Sequence, residues 1–404
     1  MPELSVIIPA YNNSRYLPEC VHSVTKQSFP DVEVIIVDDA STDDTYDVAR
    51  QLAANDPRIT AIRHDHNAGT LAARRTGMEH SSGDFVMLID QDDELADESL
   101  PALIAFAHSH PADIYHFGVR VSAATPAAQQ AAPGMTGFLT PQPRELRGED
   151  ILRTQFAQEQ GFDWHVHHKM YRGDLARKAY AMSANTRLLL SDDLYMCFIL
   201  DSLAECYRAI PDSPWYIYHL GRGETLGQHM SVDSLSELAH RDAKALTLIS
   251  DFVRNNHNTI LRSDWDARLS DVRDRLIEHA MNEWQDNLAE PLKHDGLNHV
   301  LDCWPADAVC GELYRYTRDY AYAYLVTSDR TSTKALSDAD NAKRYLDMAQ
   351  SIERDHATAV SNSANERYHA MRAIAYQHLR DSGLDMPPSH RPSFVQRVLK
   401  RLIH

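Results

Sequence analysis

Three things are scarce in this chain of 404 residues, and each scarcity removes a class of protein. Cysteine is rare: Cys20, Cys197, Cys206, Cys303 and Cys310 form no CxxC pair, and an odd count argues against a complete disulfide framework. A reducing, cytoplasmic setting fits that usage. Long apolar runs are missing, since no stretch approaches the roughly 20 apolar residues of a spanning helix. The N-terminal MPELSVIIPAYNN has no basic region before its short apolar run, which reaches a proline and polar residues and reads as a first strand, not a signal peptide. The expectation is a soluble protein, attached at most to a membrane surface. Basic residues are also few: 40 Lys and Arg against 58 Asp and Glu leave a formal charge of −18. No long basic stripe offsets it, which argues against nucleic acid as a partner.

What is present points to an α/β protein. Hydrophobic content of 43% can fill a large core, and the length suggests two or three domains. Short apolar runs at 5–10, 32–38, 59–64, 84–90 and 113–121 read as strands. Most are apolar on both faces, as parallel strands covered by helices should be. Helical patterns lie between them: Leu17, Val21 and Val24 recur at helical spacing with Pro18 in the first turn, Ser41 with Asp44 looks like a capping box, and 99–109 carries its proline near the start. Such alternation means an open sheet with right-handed crossovers. Residues 122–146, rich in Ala, Pro and Gln without a period, read as a flexible excursion. From about residue 233 the pattern is helical throughout. The expected domains are 1–228 as the catalytic α/β domain, 229–390 as an all-α domain, and 391–404 as a basic amphipathic terminal helix.

In an open parallel sheet, ligands bind at the carboxyl ends of the strands. Three polar clusters fall on that edge: Pro9-Ala10-Tyr11-Asn12, Asp38-Asp39, and Asp90-Gln91-Asp92-Asp93. Carboxylates gathered at low dielectric repel strongly, and a hard divalent cation would relieve them. Asp90 and Asp92, two apart at a strand end, can offer oxygens to Mg²⁺ or Mn²⁺ and leave positions open for diphosphate. The plainer reading is that Asp92 and Asp93 cap the following helix.

These segments resemble glycosyltransferase family 2, which has the GT-A fold: SVIIPAYNN (5–13), VIIVDDASTDDT (34–45), NAGTLAARRTG (67–77) and MLIDQDD (87–93) occur in the family's order and spacing. The resemblance covers roughly residues 4–225. It implies a GT-A-type open mixed sheet flanked by helices, with the all-α domain following. It also implies that Pro9, Ala10 and Tyr11 form the slot for the base of a nucleoside diphosphate sugar and that Asp39 accepts a hydrogen bond from that base. By the same resemblance Arg74 binds diphosphate, Asp92 ligates the metal, and Asp90 and Gln91 contact donor or metal. Arg75 stands where the family usually has asparagine, so either arginine could face phosphate.

The resemblance extends to the acceptor half. Asp193 matches the family's general base and Asp192 replaces its glutamate, with Ser191 as helix N-cap. Trp164 and Lys169, in WHVHHKMYR, match a stretch bordering the acceptor. Its three histidines suggest zinc, but no partner ligand at suitable spacing accompanies them. His219, Arg222 and His229 are candidates for a third metal contact or a diphosphate clamp. The implied reaction is inverting, metal-dependent transfer, from UDP-sugars by family tendency, to a glycan, lipid-linked or wall-polymer hydroxyl. The tail RPSFVQRVLKRLIH sets Phe394, Val395, Val398, Leu399 and Leu402 on one face against Arg397, Lys400 and Arg401, a candidate contact with anionic lipid at the cytoplasmic face. The helical half is a candidate for homo-oligomerisation or acceptor binding. Two other readings are a sugar nucleotidyltransferase, whose usual Gly-rich phosphate loop is missing from SVIIPAYNNSRYL, and a scaffold with a vestigial catalytic domain.

Overall fold

A computed structural model describes residues 2–157, 164–188, 191–222, 230–260 and 262–385. The chain folds as two compact units, Met1–Gln228 with Lys244–Val272, and His229–Ala243 with Arg273–His404. Elements run in the order β1 (Leu4–Ala10), α1 (Leu17–Thr25), β2 (Val32–Asp38), α2 (Thr45–Asn55), β3 (Ile59–Arg63), α3 (Thr70–His80), β4 (Phe85–Leu88), β5 (Glu94–Leu95) and α4 (Ser99–Ser109). There follow β6 (Ile114–Ala123), α5 (Pro126–Leu139), β7 (Glu145–Arg147), α6 (Glu149–Gln155), β8 (Lys169–Arg172), α7 (Gly173–Met182), α8 (Asp192–Leu203) and β9 (Cys206–Leu220).

The nine strands form one mixed sheet in the order β3-β2-β1-β4-β8-β6-β9-β5, with β7 also paired to β9. Its first four strands are parallel, with Leu4 beside both Val32 and Phe85, while β8 enters antiparallel to β4 and β6. All seven residues of β1 are buried, because helices cover both faces of this part of the sheet. The core joins Val6, Ile8, Val34 and Ile36 to Leu17 and Val21 of α1 and to Leu100 and Leu103 of α4. The fold expected from the sequence, an open mixed sheet flanked by helices with a helical region after it, is the one observed.

Three local expectations need correction. Residues 122–146 are not an irregular excursion: Thr125 caps α5 by accepting from the Ala128 amide at 3.2 Å, and Ala128 and Leu139 are buried beneath it. Ser41 does not close a capping box; its Oγ accepts from the Asn12 amide at 3.0 Å, and Asp44 stands at the N-cap of α2. Residues 244–272, assigned above to the all-α domain, belong to the sheet unit, where Phe252 and Trp265 pack on Phe198 of α8 with ring centroids 6.4 and 6.0 Å apart.

The helices α9 (Val232–Asn256), α10 (Trp265–Asp286), α11 (Lys293–Cys303), α12 (Ala306–Val326), α13 (Thr333–Asp355), α14 (Ala357–Ser361) and α15 (Glu366–Ser382) complete the described chain. Within the second unit a cluster built on Ala321, Tyr324, Ala335, Ala339, Ala342 and Leu379 packs α12 against α13 and α15. Small alanines let these helices approach closely. Among the described residues no helix is long and apolar enough to cross a membrane. The terminal segment 391–404 lies outside the described residues.

Candidate active site

The loops after β1 and β2 are tied to one another and to the end of β4. Tyr11 donates its amide to Gln91 Oε1 at 2.9 Å and accepts from Gln91 Nε2 at 3.0 Å. Asn12, at φ 46°, donates to Ser41 and accepts from the Thr42 amide at 2.8 Å. Asparagine tolerates that left-handed backbone better than most residues, a signal that the doubled Asn12-Asn13 carried. Tyr11 is left 43% exposed at the rim, beside the buried Ala10.

The paired aspartates at the end of β2 have separate tasks. Asp38 is fully buried, accepts from the Ser41 amide at 3.2 Å and lies 3.4 Å from Arg63. Asp39 holds the loop that leads into α3. Its Oδ1 accepts from the Ala68 amide at 2.9 Å and meets His64 Nδ1 at 2.7 Å, and its Oδ2 accepts from the Gly69 amide at 2.7 Å. Gly69 sits at φ 90°, ψ 164°, a conformation open essentially to glycine alone. The base contact implied for Asp39 would therefore share a carboxylate that already takes three hydrogen bonds. His64, which fixes it, went unnoticed in the sequence because nothing local marks that histidine.

Arg74 is the hub of the site. Its guanidinium is 4% exposed and meets Asp90 at 2.8 Å, Asp192 at 3.1 Å and Asp193 in a close ion pair. Arg75 turns away to the Ser183 carbonyl at 3.3 Å and to Glu79 at 3.4 Å, so Arg74 is the arginine that enters the site. In this structure its charge is spent on three carboxylates, one from the turn after β4 and two from α8, not held open for a diphosphate. One cation among three acids leaves the cluster short of positive charge. Burial pushes the Asp192 carboxyl up to about 7, with Asp193 adding to the rise against the pull of Arg74. Burial also acts upward on Asp193, but Arg74 first, then His167 and His165, hold it below the usual range. Asp193 is thus a carboxylate at neutral pH, with its Oδ2 taking the Val166 amide at 3.2 Å.

The Asp90–Asp93 turn divides its acids. Asp93 is structural: 2% exposed, it accepts from the Tyr216 hydroxyl and the His219 amide, both at 2.8 Å, and so clamps β9 to β4. Asp92 differs. Its carboxylate takes no hydrogen bond or ion pair from another described side chain, and burial, followed by the nearby Asp90, raises it to about 6. Neither residue caps α4, whose N-cap is Glu98. Arg222 lies close by, donating to the Asp92 carbonyl at 3.4 Å and to Glu19 at 3.1 Å, with Tyr16 beneath it at 4.4 Å. His219 meets Glu94 at 2.7 Å, and burial, with Arg222 next, keeps the imidazole below its usual range. Glu19, Tyr16 and Glu94 were not singled out in the sequence. His229 lies outside the described residues.

The Trp164–Arg172 stretch borders Asp193. Lys169 is buried and donates to the His165 carbonyl, so its ammonium serves the local backbone. His167 and His168 share a 2.7 Å hydrogen bond between their Nδ1 atoms, and the His116 and His168 rings lie 4.5 Å apart. Burial drives both His116 and His168 well below the ordinary imidazole range. Trp164 is half-buried. Among the described residues no three His, Cys, Asp or Glu side chains gather as a metal-enclosing set.

Residues 5–178 match the family described as Glycosyl transferase family 2. The glycosyltransferase EpsJ of Bacillus subtilis (strain 168) is 28% identical over 227 residues, 54% of this chain and 61% of that protein. The GalNAc(5)-diNAcBac-PP-undecaprenol beta-1,3-glucosyltransferase of Campylobacter jejuni subsp. jejuni is 35% identical over 116 residues, 28% of this chain and 38% of that protein. The chain thus spans less than two thirds of the curated relatives it matches. The crystal structure of S. aureus TarS 1-349 superimposes with TM-score 0.45 at 19% identity, covering 78% of this chain and 91% of that one.

Proposed function

From a chain whose residues 5–178 belong to glycosyltransferase family 2, we propose an enzyme that moves a sugar from a nucleoside diphosphate, with UDP favoured, to an acceptor hydroxyl with inversion. The observation that carries this reading is the convergence on Arg74 of Asp90, after β4, and of Asp192 and Asp193 of α8, while Asp92 makes no ion pair with another described side chain. An acid raised by burial and by a like charge, beside an exposed aromatic rim, is the arrangement expected where a charged guest completes the site.

Asp193 takes the proton as the acceptor oxygen attacks the anomeric carbon. The bond from that carbon to the diphosphate oxygen breaks in the same displacement, and its electron pair leaves with the diphosphate. A carboxylate held low by Arg74 is a weak base, suited to accept a proton that becomes acidic only during attack. The Val166 amide and Arg74 fix its orientation. Exposed Tyr11, with Pro9 and Ala10 behind it, offers the face for the base, and Asp39 holds the neighbouring 64–69 loop. Asp92, with Asp90, would hold Mn²⁺ or Mg²⁺, hard ions that bind through one or two carboxylates. Such an ion would supply charge neutralisation for the departing diphosphate. Arg222, beside Asp92, is placed to assist on the same side.

The acceptor class proposed is a glycan or lipid-linked sugar, supported by the name of the Campylobacter relative. Action at the cytoplasmic membrane face, with 391–404 as the lipid contact and the helical unit as a self-association surface, belongs to the same proposal. The test is a thermal-shift screen of nucleotide sugars with and without Mn²⁺ on the wild type and on Asp92→Asn. One nucleotide sugar should stabilise the wild type only with metal, and Asp92→Asn should lose that response. No shift in the wild type, or an equal one in the variant, overturns the donor-site assignment.

A further inference from the structure

The helix α5 carries an aromatic residue, Phe138, against the Trp164–Arg172 stretch, and no motif assigns it. Its packed face is Ala128, Met135 and Leu139. Phe138 lies off that face and is 53% exposed. A single exposed apolar residue means little by itself. This one, however, sets its ring edge-to-face on His165, with centroids 5.2 Å apart at 84°. The next residue, Val166, donates its amide to Asp193. An aromatic surface therefore runs from the exposed Phe138 through His165 to the acid assigned to acceptor activation.

We propose that Phe138 and His165 form the stacking platform for the acceptor's sugar ring, so that α5 is the acceptor-side wall of the cleft. A pyranose presents C–H groups on one face and hydroxyls around its edge. Aromatic faces carry negative charge density that receives such C–H groups, leaving a ring-edge hydroxyl free to meet Asp193. This assignment rests on the glycosyltransferase reading and names the residues that hold its second substrate.

The test uses the full chain and methyl β-glycosides of glucose, galactose and N-acetylglucosamine in saturation-transfer NMR. The wild type should saturate ring protons of at least one glycoside, Phe138→Ala should bind it about fivefold more weakly, and Phe138→Trp should restore it. The stabilisation of Phe138→Ala by nucleotide sugar should match the wild type, which also shows that the variant folds. Equal saturation in Phe138→Ala, no ring-proton saturation with any glycoside, or a change confined to sedimentation behaviour would overturn the platform. A failed donor response with glycoside saturation intact would instead count against the donor site alone.

Discussion

Buried acids occur in both units of this molecule, and they are treated differently. In the helical unit Glu312, 1% exposed, is met by Arg315 at 2.6 Å and Arg367 at 2.8 Å. Glu353 there accepts from the Tyr314 hydroxyl at 2.8 Å, the Tyr368 hydroxyl at 2.7 Å and Arg372 at 3.0 Å. In the sheet unit Asp90, Asp192 and Asp193 share one guanidinium, and Asp92 makes no ion pair among the described residues, with Arg222 only near it. The first arrangement is settled chemistry that holds helices together. The second leaves carboxyls raised to about 6 at Asp92 and about 7 at Asp192, a conflict a fold keeps only where something else benefits. Shortage of countercharge, more than acidity, separates the site from the scaffold.

The sharpest break of that contrast is at Asp193. Asp193→Asn keeps the shape and one acceptor oxygen but removes the proton acceptor, so transfer should fall about 10²–10⁴-fold. Donor-induced thermal stabilisation should persist, because the residues proposed for the donor and metal, Tyr11, Asp39 and Asp92, are left intact. A variant that keeps wild-type turnover would move the base to another residue.

Arg74 tests the same contrast through stability. Arg74→Met leaves three carboxylates in a buried pocket without a cation, and breaking a buried ion cluster in this way costs about 3–5 kcal/mol. Urea unfolding measures it. Adding Asp192→Asn should recover part of the loss, since it removes one of the stranded charges, whereas a surface ion pair would show neither effect.

Much of this was legible in the sequence for physical reasons. The runs that became β1, β2 and β4 are apolar on both faces, and only buried parallel strands need that, so their polar ends marked one edge. Asp90 was found as an acid at a strand end, and Asp192 and Asp193 through the resemblance to the family's acidic pair. That Arg74 would bind them was not readable, because partners 118 and 119 positions away leave no local trace. The helix α5 was hidden by its own composition: alanine and glutamine fill its first half and glycine interrupts its second, which blurs the helical period, and Pro133 inside it signals a break. β9 was masked likewise, with Pro211 and Pro214 in a 15-residue strand. It is accommodated by a bulge at Gly118, where any Cβ would lie 2.2 Å from the Pro211 carbonyl oxygen.

A smaller effect is expected from pH. Burial first, then Asp193, raises the Asp192 carboxyl to about 7, well above an unfolded aspartate near ~3.9. The folded state therefore binds that proton more tightly. Its contribution to stability is full below the unfolded value and is lost as pH rises through about 7. Metal-free wild type should be less stable at pH 7.5 than at pH 5.5 by more than Asp192→Asn is, as read from urea midpoints at the two pH values. Parallel behaviour would mean that Asp192 is already ionised in the folded chain.

The smallest effect should come from the settled acid. Glu353→Gln keeps one oxygen for the two tyrosine hydroxyls but gives up the charge-assisted bond to Arg372, whose partner is 18% exposed. A hydrogen bond to a charged group contributes about 1.5–3 kcal/mol when buried, and partial exposure places this change toward the low end. The urea midpoint should fall slightly, while donor-induced stabilisation and transfer stay at wild-type values. Because Glu353 has three good donors, replacing its charge relieves nothing and disturbs little. Were Glu353→Gln to impair transfer as strongly as Asp193→Asn, the distinction between satisfied and starved carboxylates would no longer locate the chemistry, and the helical unit would have to take part in it.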